Sequence, residues 1–413
     1  KMELEEGDPE NHAFSFMSER KDRNKRNCWL TYTNEKTHEI IRENIMRAPK
    51  YAGKIHGIGA RYCPSIEDKV VRFADKDRHQ LFVEPEGLDT TEMYVQGMST
   101  SMPIDVQYAF LRTIPGFEDV KMMRPAYAIE YDLLDPLQLY PTLEVIKLPG
   151  LYSAGQSNGT SGYEEAAAQG LVAGINAALK IQGKDPFILA RHEAYIGSLV
   201  DDLVTKGADE PYRMMTSRSE YRLILRQDNA DLRLTEKGHS IGLVGEERYA
   251  RFLERKKKYE EAMDYIRTQR FTPKEEINRA LESMGTAPLT TGTGADQILK
   301  RPEMTYRKMM EILGCPSFDE EAVEEMEITV KYEGYIARQE AAVRKAARME
   351  NEKLPLDMDY LSLDGISTEA RQKMDKIRPL SLGQAARIPG VSPADISVLM
   401  VYVKQRKGKK GAE

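Results

Sequence analysis

The chain has 413 residues, of which 41% are hydrophobic and 31% are charged, and it carries a net charge of −6. This length exceeds one ordinary hydrophobic core and predicts roughly two or three domains. No stretch approaches the roughly 20 apolar residues that span a bilayer, and no apolar signal core opens the chain, so we expect a cytoplasmic protein. Three scattered cysteines and six histidines without ligand spacing argue against a disulfide framework and predict no metal site.

The first 190 residues alternate between helix and strand signals. Asn34 is suited to cap a helix over "EKTHEIIRENIMR". The segment "KVVRFADKDRHQLFVEPEG" predicts two strands joined by an Asp-Lys-Asp turn. A helix is expected near 105–112, and strands are expected near 126–132, 143–147 and 151–154. The alternation predicts an α/β arrangement.

From about residue 191 onward, the sequence favours helices. The stretches "GHSIGLVGEERYARFLERKKKYEEAMDYIRTQ" and "EGYIARQEAAVRKAARMENEK" have amphipathic helical spacing, and the C-terminal segment predicts short helices punctuated by Gly and Pro. We therefore predict an α/β part followed by an all-α helical domain, itself in two parts.

The stretch "GLYSAGQSNGTSGYEEAAAQGLVAGINAALK" predicts a strand that ends at Gly155, a loop of small residues and a helix. Ser161 and Glu164 have the spacing of a capping box. Free N–H groups at a helix N-terminus suit an anionic or hydrogen-bond-rich ligand such as a flavin nucleotide. Gln156, at the tip of the strand, could donate to such a ligand and accept from it. A purely structural turn between strand and helix explains the same residues.

The segment "GIGARYCPSIEDKVVRF" places Cys63 two residues after Arg61. A cationic neighbour lowers the pKa of a thiol and makes thiolate available near neutral pH. Such a thiolate could attack an electron-poor carbon. The alternative is a buried, inert cysteine.

The segment "EPYRMMTSRSEYRLILRQDNADLRL" places Arg218, Arg222 and Arg226 at successive spacings of four. In a helix these guanidinium groups would line one face and could follow a phosphate backbone. Arg213 and Arg233 extend the patch. Acidic residues are interleaved with the arginines, so a salt-bridged surface is the alternative.

Four segments resemble the MnmG (GidA) family of flavin-dependent tRNA uridine-5-carboxymethylaminomethyl modification enzymes. They are "RYCPSIEDKVVRFADKDRHQLFVEPEGL", "GQSNGTSGYEEAAAQGLVAGINAAL", "VDDLVTKGADEPYRMMTSRSEYRLILRQDNADLRLTEKG" and "LSLGQAARIPGVSPADISVL". The resemblance covers essentially the whole chain. It implies the C-terminal part of a FAD-binding Rossmann-like domain with an inserted segment, followed by helices. Members of this family begin with a glycine-rich FAD loop that has no counterpart here, so we expect a piece of a longer protein.

The resemblance also implies roles for individual residues. Gln156 matches a FAD contact, and Cys63 matches a cysteine implicated in catalysis. Contacts with tRNA are expected from Arg213, Arg218, Tyr221, Arg222 and Arg226. A nicotinamide dinucleotide is expected along Gly59, Ala60, Arg61, Tyr62, Cys63, Pro64, Ser65, Ile66, Glu67, Asp68, Lys69, Val70, Val71, Arg72 and Phe73.

The implied chemistry builds an aminomethyl substituent at C5 of the wobble uridine. FAD, NAD(P)H as reductant and methylenetetrahydrofolate as one-carbon donor are the implied cofactors. The implied partners are tRNA, a second copy of the chain in a homodimer, and the GTPase MnmE in a heterotetramer. Thiolate addition at C6 of uracil would make C5 nucleophilic, which is covalent catalysis.

These expectations divide the chain into four domains. Residues 1–75 form an inserted, nicotinamide-side segment, 76–190 the C-terminal half of the FAD-binding domain, 191–330 a tRNA-facing helical domain, and 331–413 a partner-docking helical domain. The 413-residue chain alone is expected to be inactive. Two other functions stay open: a non-catalytic tRNA- and partner-binding fragment, and a flavin oxidoreductase acting on a small metabolite. The mechanistic interpretation requires that Cys63 and Gln156 face one cavity.

Overall fold

A computed structural model describes residues 1–7, 13, 15–18, 26–55, 65–127, 132–208, 210–355 and 357–410, the side chains of 406–410 excepted. Contacts divide the chain into two compact units. The first consists of Lys1–Asp135, Gly155–Ala166 and Ala208–Arg213, and the second of Pro136–Ala154, Ala167–Gly207 and Met214–Glu413. Each unit has hydrophobic clusters of its own.

A four-stranded antiparallel sheet forms the frame of the first unit. Its strands, adjacent in chain order, are β1 (Glu3–Glu5), β2 (Cys28–Tyr32), β3 (Gln80–Pro85) and β4 (Met93–Gln96). Leu30 pairs with Phe82, and Val83 pairs with Val95. Leu81 and Val83 are buried on one face of the sheet, two residues apart, as the pleat of a strand requires.

Three helices share a hydrophobic core with this sheet: α1 (Glu35–Glu43), α2 (Ile66–Arg72) and α3 (Ile104–Leu111). The prediction that Asn34 caps α1 is confirmed, because its side chain accepts from the Thr37 amide at 3.0 Å and the Thr37 hydroxyl accepts from the Asn34 amide at 3.2 Å. The predicted helix near 105–112 is also confirmed. This core holds residues from both sides of the boundary predicted between 75 and 76.

The predicted hairpin over "KVVRFADKDRHQLFVEPEG" is wrong in its first half. Residues from Ile66 onward form α2, whose N-cap Ser65 accepts from the Asp68 amide through its hydroxyl at 3.2 Å. Only the second half is a strand, β3. The adjacent Val70 and Val71 favour a strand locally, but Ile66 and Val70 lie four residues apart and are both buried in the core. Tertiary burial therefore overrides the local propensity.

The strands predicted near 143–147 and 151–154 are reduced to isolated bridges. Leu139 pairs with Val145, and Glu144 pairs with Tyr152. Residues 128–131 of the strand predicted near 126–132 lie outside the described residues. The predicted class is nevertheless confirmed, because a small sheet with helices is followed by a helical region.

The remaining elements are almost all helices. They are α4 (Tyr163–Ile181), α5 (Tyr195–Lys206), α6 (Ala230–Ser240), α7 (Glu246–Thr268), α8 (Glu275–Ser283), α9 (Ala295–Leu299), α10 (Tyr306–Leu313), α11 (Glu320–Asn351), α12 (Thr368–Ile377), α13 (Leu382–Arg387) and α14 (Pro393–Lys410), with a two-stranded sheet of β5 (Arg270–Phe271) and β6 (Thr293–Gly294). Within the described ranges, none of the helices combines the length and apolarity that crossing a membrane demands.

The helical part of the second unit has two separate cores. One lies among α7 to α11 and includes Tyr306, Met309 and Met326, and the other lies among α12 to α14 and includes Met374 and Leu399. The prediction of a helical region in two parts is thus confirmed. The long helix α11 contributes Met326 to the first core and packs Met349 against the second, so the boundary predicted between 330 and 331 lies within this helix.

Candidate functional site

The loop before α4 is a tight turn rather than the tip of a strand. Residues Gly155–Asn158 form a short 3-10 turn, so the expected position of Gln156 at the end of a strand is wrong. Gly155 and Gly159 both have left-handed backbone angles, φ +80° and +81°. A Cβ atom at Gly159 would lie 2.8 Å from the Ala208 side chain. Glycine is therefore required for the loop to pack this closely.

The Gln156 side chain is half-buried and only weakly held. Its amide nitrogen donates to the Asp132 carbonyl at 3.5 Å, the outer limit of a hydrogen bond. Helix α4 begins at Tyr163, two residues after Ser161, and its first turn is closed by the Ala166 amide donating to the Gly162 carbonyl at 3.1 Å. Its first residues also carry the N–H groups that a helix N-terminus leaves for other partners. A loosely held amide beside such a helix start fits a hydrogen-bond-rich ligand.

Between the charged residues near its two ends, the exposed side of α4 consists of apolar and small residues. Leu171 is 47% exposed and Ile181 is 88% exposed. A Cβ atom built on Gly170 or Gly174 would meet nothing within 4 Å. Both glycines therefore leave a flat surface on this side of the helix.

The predicted nicotinamide segment divides into two parts. Residues 59–64, which include Arg61 and Cys63, lie outside the described residues. The expectation that Cys63 and Gln156 share a cavity therefore stays a prediction. The other part, Ser65 to Phe73, comprises α2 and its two flanking residues.

Most of the described part of this segment serves the fold. Ile66 and Val70 are fully buried in the core of the first unit. Glu67 is buried as well, and its Oε1 accepts from the amide and the hydroxyl of Ser101 at 3.0 and 2.9 Å. These side chains fix α2 against the loop that precedes α3.

Asp68 is held by two donors from the segment after α1. Its carboxylate accepts from Lys50 Nζ at 2.7 Å and from the Tyr51 hydroxyl at 2.9 Å. Burial by itself would raise the pKa of Asp68, but these hydrogen bonds outweigh it and the pKa is lowered. Burial and the bond to Asp68 raise the pKa of Tyr51 to about 12. Asp68 is thus an ionised structural group.

Five residues of the described segment are exposed or partly exposed. Ser65 and Lys69 are half-buried, and Val71, Arg72 and Phe73 are exposed. Of the nine described residues predicted to contact a nicotinamide dinucleotide, these are the ones with accessible side-chain surface.

The arginine-rich segment does not form the predicted helix. Thr216–Arg218 is a single 3-10 turn, and the chain then runs through turns until α6 begins at Ala230. Arg218, Arg222 and Arg226 therefore do not line one helical face. The physical reason is a distant contact: Gln339 of α11 accepts hydrogen bonds from the Leu223 and Ile224 amides, both at 3.2 Å.

Arg226 is an internal residue engaged with carboxylates. Its side chain is 14% exposed, with Nε 2.9 Å from Asp228 Oδ2 and Nη2 2.8 Å from Glu325 Oε1. The salt-bridge alternative therefore describes Arg226 better than an exposed phosphate contact. Tyr221 is buried as well, which is unsuited to a base-stacking platform in this conformation.

The other three candidates for tRNA contact are more accessible. Arg213, in the first unit, lies 3.2 Å from Glu165 through Nε. Arg218 is half-buried. Arg222 is exposed and forms no hydrogen bond or ion pair with any residue that the structure describes. Arg222 is consequently the accessible cation best suited to a phosphate group among the arginines of the predicted patch.

Glu325 and Asp228 form an unequal carboxyl pair beside Arg226. Burial, followed by the bond to Asp228, raises the pKa of Glu325 to about 8. For Asp228 the effect of burial is outweighed by hydrogen bonds from Glu325 and Arg226, and its pKa is lowered. The opposite directions of the two pKa shifts favour protonation of Glu325 over Asp228.

This pair predicts a pH-dependent stability. The folded chain binds a proton at Glu325 up to pH about 8, whereas an unfolded glutamate releases it near 4.5. Between these values the folded state holds the extra proton, so stability falls as pH rises, by about 1.4 kcal/mol per pH unit for one proton. Glu325→Gln should remove this slope. Urea unfolding of both proteins from pH 5 to 9 measures the difference, and parallel stability curves would contradict the prediction.

A second buried charge cluster was not singled out by the sequence. Arg191 is 8% exposed; its Nη1 lies 2.7 Å from Asp202 and 3.1 Å from Asp201, and its Nε lies 2.7 Å from Glu220. The signal that could have found it is the adjacent pair Asp201 and Asp202 inside the otherwise apolar α5. Buried carboxylates in such a helix need a cationic partner.

Arg387 extends this cluster into the C-terminal helices. It lies on α13 and contacts Asp201 through two nitrogens, at 2.7 and 2.8 Å. Its third nitrogen is bonded to Glu350 near the end of α11. The cluster thereby connects α5, α11 and α13 within the second unit.

Two solved structures share this fold. The chain superimposes on Aquifex aeolicus GidA in the form II crystal with a TM-score of 0.86 and 45% identity, covering 98% of this chain and 64% of that one. For the form I crystal the TM-score is 0.85 and the identity is 47%; the match covers 97% of this chain and 65% of that one. The described architecture is therefore that of the GidA proteins.

Three family models cover most of the chain. Residues 1–185 match "Glucose inhibited division protein A", 246–340 match the MnmG/GidA C-terminal helical domain, and 342–413 match the MnmG/GidA C-terminal helical bundle. The two helical models meet within α11, between the part of this helix that contributes to the first core and the part that packs against the second. The chain belongs to the MnmG/GidA family.

Curated relatives are similar along the whole chain. A protein of Caldicellulosiruptor saccharolyticus named tRNA uridine 5-carboxymethylaminomethyl modification enzyme MnmG is 55% identical over 412 residues, 99% of this chain and 66% of that protein. The protein of the same name from Enterococcus faecalis is 56% identical over 409 residues, 98% of this chain and 65% of that protein. The chain thus spans about two thirds of the length of these relatives.

Proposed function

We propose that this chain is part of a flavin-dependent tRNA-modifying enzyme that installs a (carboxymethyl)aminomethyl group at C5 of the wobble uridine. The observation that carries the proposal is the 55% identity, over 99% of the chain, to a relative with that named activity. The exposed guanidinium of Arg222 supports an RNA substrate, because unneutralised cations supply most of the affinity for a phosphate backbone.

The loop before α4 is proposed to hold part of FAD. Gln156 would bond the polar edge of the flavin, since its amide is loosely held by the protein itself. The left-handed glycines and the start of α4 would let the backbone approach the same ligand. FAD, when bound, supplies the transfer of reducing equivalents from NAD(P)H to the one-carbon unit of methylenetetrahydrofolate. The described candidates for a contact with that reductant are the accessible residues of the predicted nicotinamide segment, namely Ser65, Lys69, Val71, Arg72 and Phe73.

Cys63 is proposed as the nucleophile. Its thiolate would form a bond to C6 of uracil, making C5 nucleophilic toward the one-carbon unit, and elimination would later release the thiolate as C5 loses its proton. Arg61, two residues earlier in the chain, would favour the thiolate form.

The proposed partners are those that membership of the MnmG/GidA family implies. They are a tRNA, a second copy of the protein, and the GTPase MnmE, and the assembly would act in the cytoplasm. We assign the tRNA-facing role to residues 191–330 and MnmE docking to the helices of 331–413, including α12 to α14.

The full-length protein that contains this chain provides the test. It should purify with bound flavin and, given tRNA, NAD(P)H, methylenetetrahydrofolate, glycine or ammonium and MnmE, should convert wobble uridine to the modified nucleoside detected by mass spectrometry. Gln156→Ala should lower the flavin content severalfold, because it removes one polar contact worth about 1 kcal/mol. Gln182→Ala, an exposed glutamine just after α4, is the matched control and should leave it unchanged.

Other outcomes would point to the two remaining functions. Turnover of a small metabolite without any modification of tRNA would support a flavin oxidoreductase. Salt-dependent tRNA binding without flavin or turnover in the full-length protein would support a non-catalytic binding protein. Either result would contradict the proposed enzyme.

A further inference from the structure

The second half of α11 carries exposed aromatic and basic side chains. Tyr335 is 55% exposed, and the Arg338 guanidinium lies over its ring, 5.0 Å from the centroid. Lys345, exposed as well, follows seven residues later. These spacings place the three residues on one helical face, which we call the Tyr335 stripe.

Gln339 of α11 fastens a turn of the chain beside this stripe. Its Oε1 accepts from the Leu223 and Ile224 amides at 3.2 Å each, and its Nε2 donates to the Glu220 carbonyl at 3.1 Å. Three hydrogen bonds from one amide fix both the position and the orientation of the turn 220–224. Arg222 lies in the middle of this turn, with its guanidinium exposed.

The carboxylates that neighbour these cations in sequence are already paired. Glu220 is bonded to Arg191, Glu333 lies 2.6 Å from Lys300, and Glu340 lies 3.7 Å from Arg344. They therefore do little to neutralise Arg222, Arg338 and Lys345. The surface as a whole keeps an excess of positive charge that is available to an anionic partner.

The chemistry of this surface favours RNA over a protein partner. Among the exposed side chains of 332–348 the large ones are charged or tyrosine, and the aliphatic Ile336 and Val343 are half-buried. The core of a protein-binding interface is depleted of charged side chains such as Lys and Glu, whereas this surface carries several of them. The Tyr335 ring is covered by Arg338 on one face and has the Tyr332 ring 6.4 Å away, but more than half of its surface stays exposed. Guanidinium groups next to a partly exposed tyrosine ring suit phosphates and an unstacked base.

We propose that the turn 220–224 and the Tyr335 stripe form one composite RNA-binding surface, with Gln339 as its positioning residue. Arg222 and Arg338 contact phosphates, and the Tyr335 ring stacks on a base. This assignment rests on the proposed function, because it names where on the helical domain the tRNA is held. It places an RNA contact on α11, in the region otherwise expected to dock a protein.

The experiment measures tRNA affinity of the full-length protein as a function of salt concentration. Arg222→Ala and Arg338→Ala should each weaken binding about three- to tenfold and reduce the salt slope by about one. Arg279→Ala, which removes an exposed, paired arginine from α8, is the matched control and should change neither quantity. An unchanged slope in both Arg222→Ala and Arg338→Ala would overturn the proposal.

The positioning role of Gln339 has a separate readout. Gln339→Ala should weaken binding about as much as Arg222→Ala, and the double variant should be no weaker than either single variant, because both changes remove the same contact. Additive losses of tRNA affinity in the double variant would contradict the positioning role of Gln339. Thermal unfolding of each variant reports whether the fold is kept. If Gln339→Ala melts early, Gln339→Met, which keeps the length of the side chain but not its hydrogen bonds, should weaken binding in the same way, and unchanged binding by Gln339→Met would overturn the positioning role.

The same titration separates this proposal from the proposed function. If the unchanged full-length protein shows no salt-dependent tRNA binding, the proposed function fails. If the unchanged protein binds and the variants bind equally well, only the composite surface fails. Variants that bind tRNA normally but lose the GTPase partner would show that the surface docks a protein, and would likewise overturn the proposal.

Discussion

Cys63→Ser in the full-length protein should reduce wobble-uridine modification by about a thousandfold or more while tRNA is still bound. A serine hydroxyl keeps the size and polarity of the thiol but is not deprotonated near neutral pH and is a much poorer nucleophile toward an electron-poor carbon. The measurement is mass spectrometry of nucleosides from tRNA incubated with enzyme and cofactors. Affinity for unmodified tRNA, measured in parallel, should be unchanged.

Cys28→Ser is the matched control for this prediction. Cys28 is half-buried in β2, where it pairs with Glu5, and it should be replaceable without loss of turnover. Cys315 is a poorer control because it is buried in the core of α7 to α11, where burial raises the pKa of its thiol. Full turnover in Cys63→Ser would contradict the assignment of Cys63 as the nucleophile. Loss of both tRNA binding and turnover would give Cys63 a structural role instead.

Arg191→Met should lower the free energy of unfolding by about 3–5 kcal/mol. The substitution keeps much of the side-chain volume but leaves Asp201, Asp202 and Glu220 without their shared cation. For Asp202, burial acts to raise the pKa, and the contacts with Lys206 and Arg191 help to lower it. Urea unfolding at pH 7 measures the effect without adding salt that would screen the charges.

An exposed arginine gives the comparison for Arg191. Arg251→Met breaks an i,i+4 pair with Glu247 on the surface of α7, and such pairs contribute at most about 1 kcal/mol. The contrast between the two variants therefore isolates the effect of burial. A loss below about 1 kcal/mol for Arg191→Met would mean that the cost of burying these charges cancels their attraction.

The sequence predicts those elements whose signals are local. The two capping hydrogen bonds join Asn34 to Thr37, three residues along the chain, so α1 begins as expected. Helix α7 and the second half of α11 follow from their helical spacing, and the helical character of the second half of the chain follows from the shift in composition after residue 191. The MnmG/GidA family is predicted from the resemblance of four sequence segments and not from the predicted arrangement of helices and strands.

Elements that depend on distant contacts could not be predicted from the sequence. The regular spacing of Arg218, Arg222 and Arg226 predicts a helix, but the turn is held by Gln339, more than 110 residues further along the chain. Burial of Arg226 likewise depends on Glu325. Which of several equally spaced arginines stays accessible is decided by these partners, and spacing carries no information about them.

The length of α11 has a mechanical consequence. Its 32 residues make a rod about 48 Å long, with one end anchored in the core of α7 to α10 and the other in the terminal bundle. Gln339 ties the arginine turn to the middle of this rod. A protein partner that binds the terminal bundle and tilts α11 would also move this turn. The affinity for RNA would then change although the protein partner and the RNA do not touch each other.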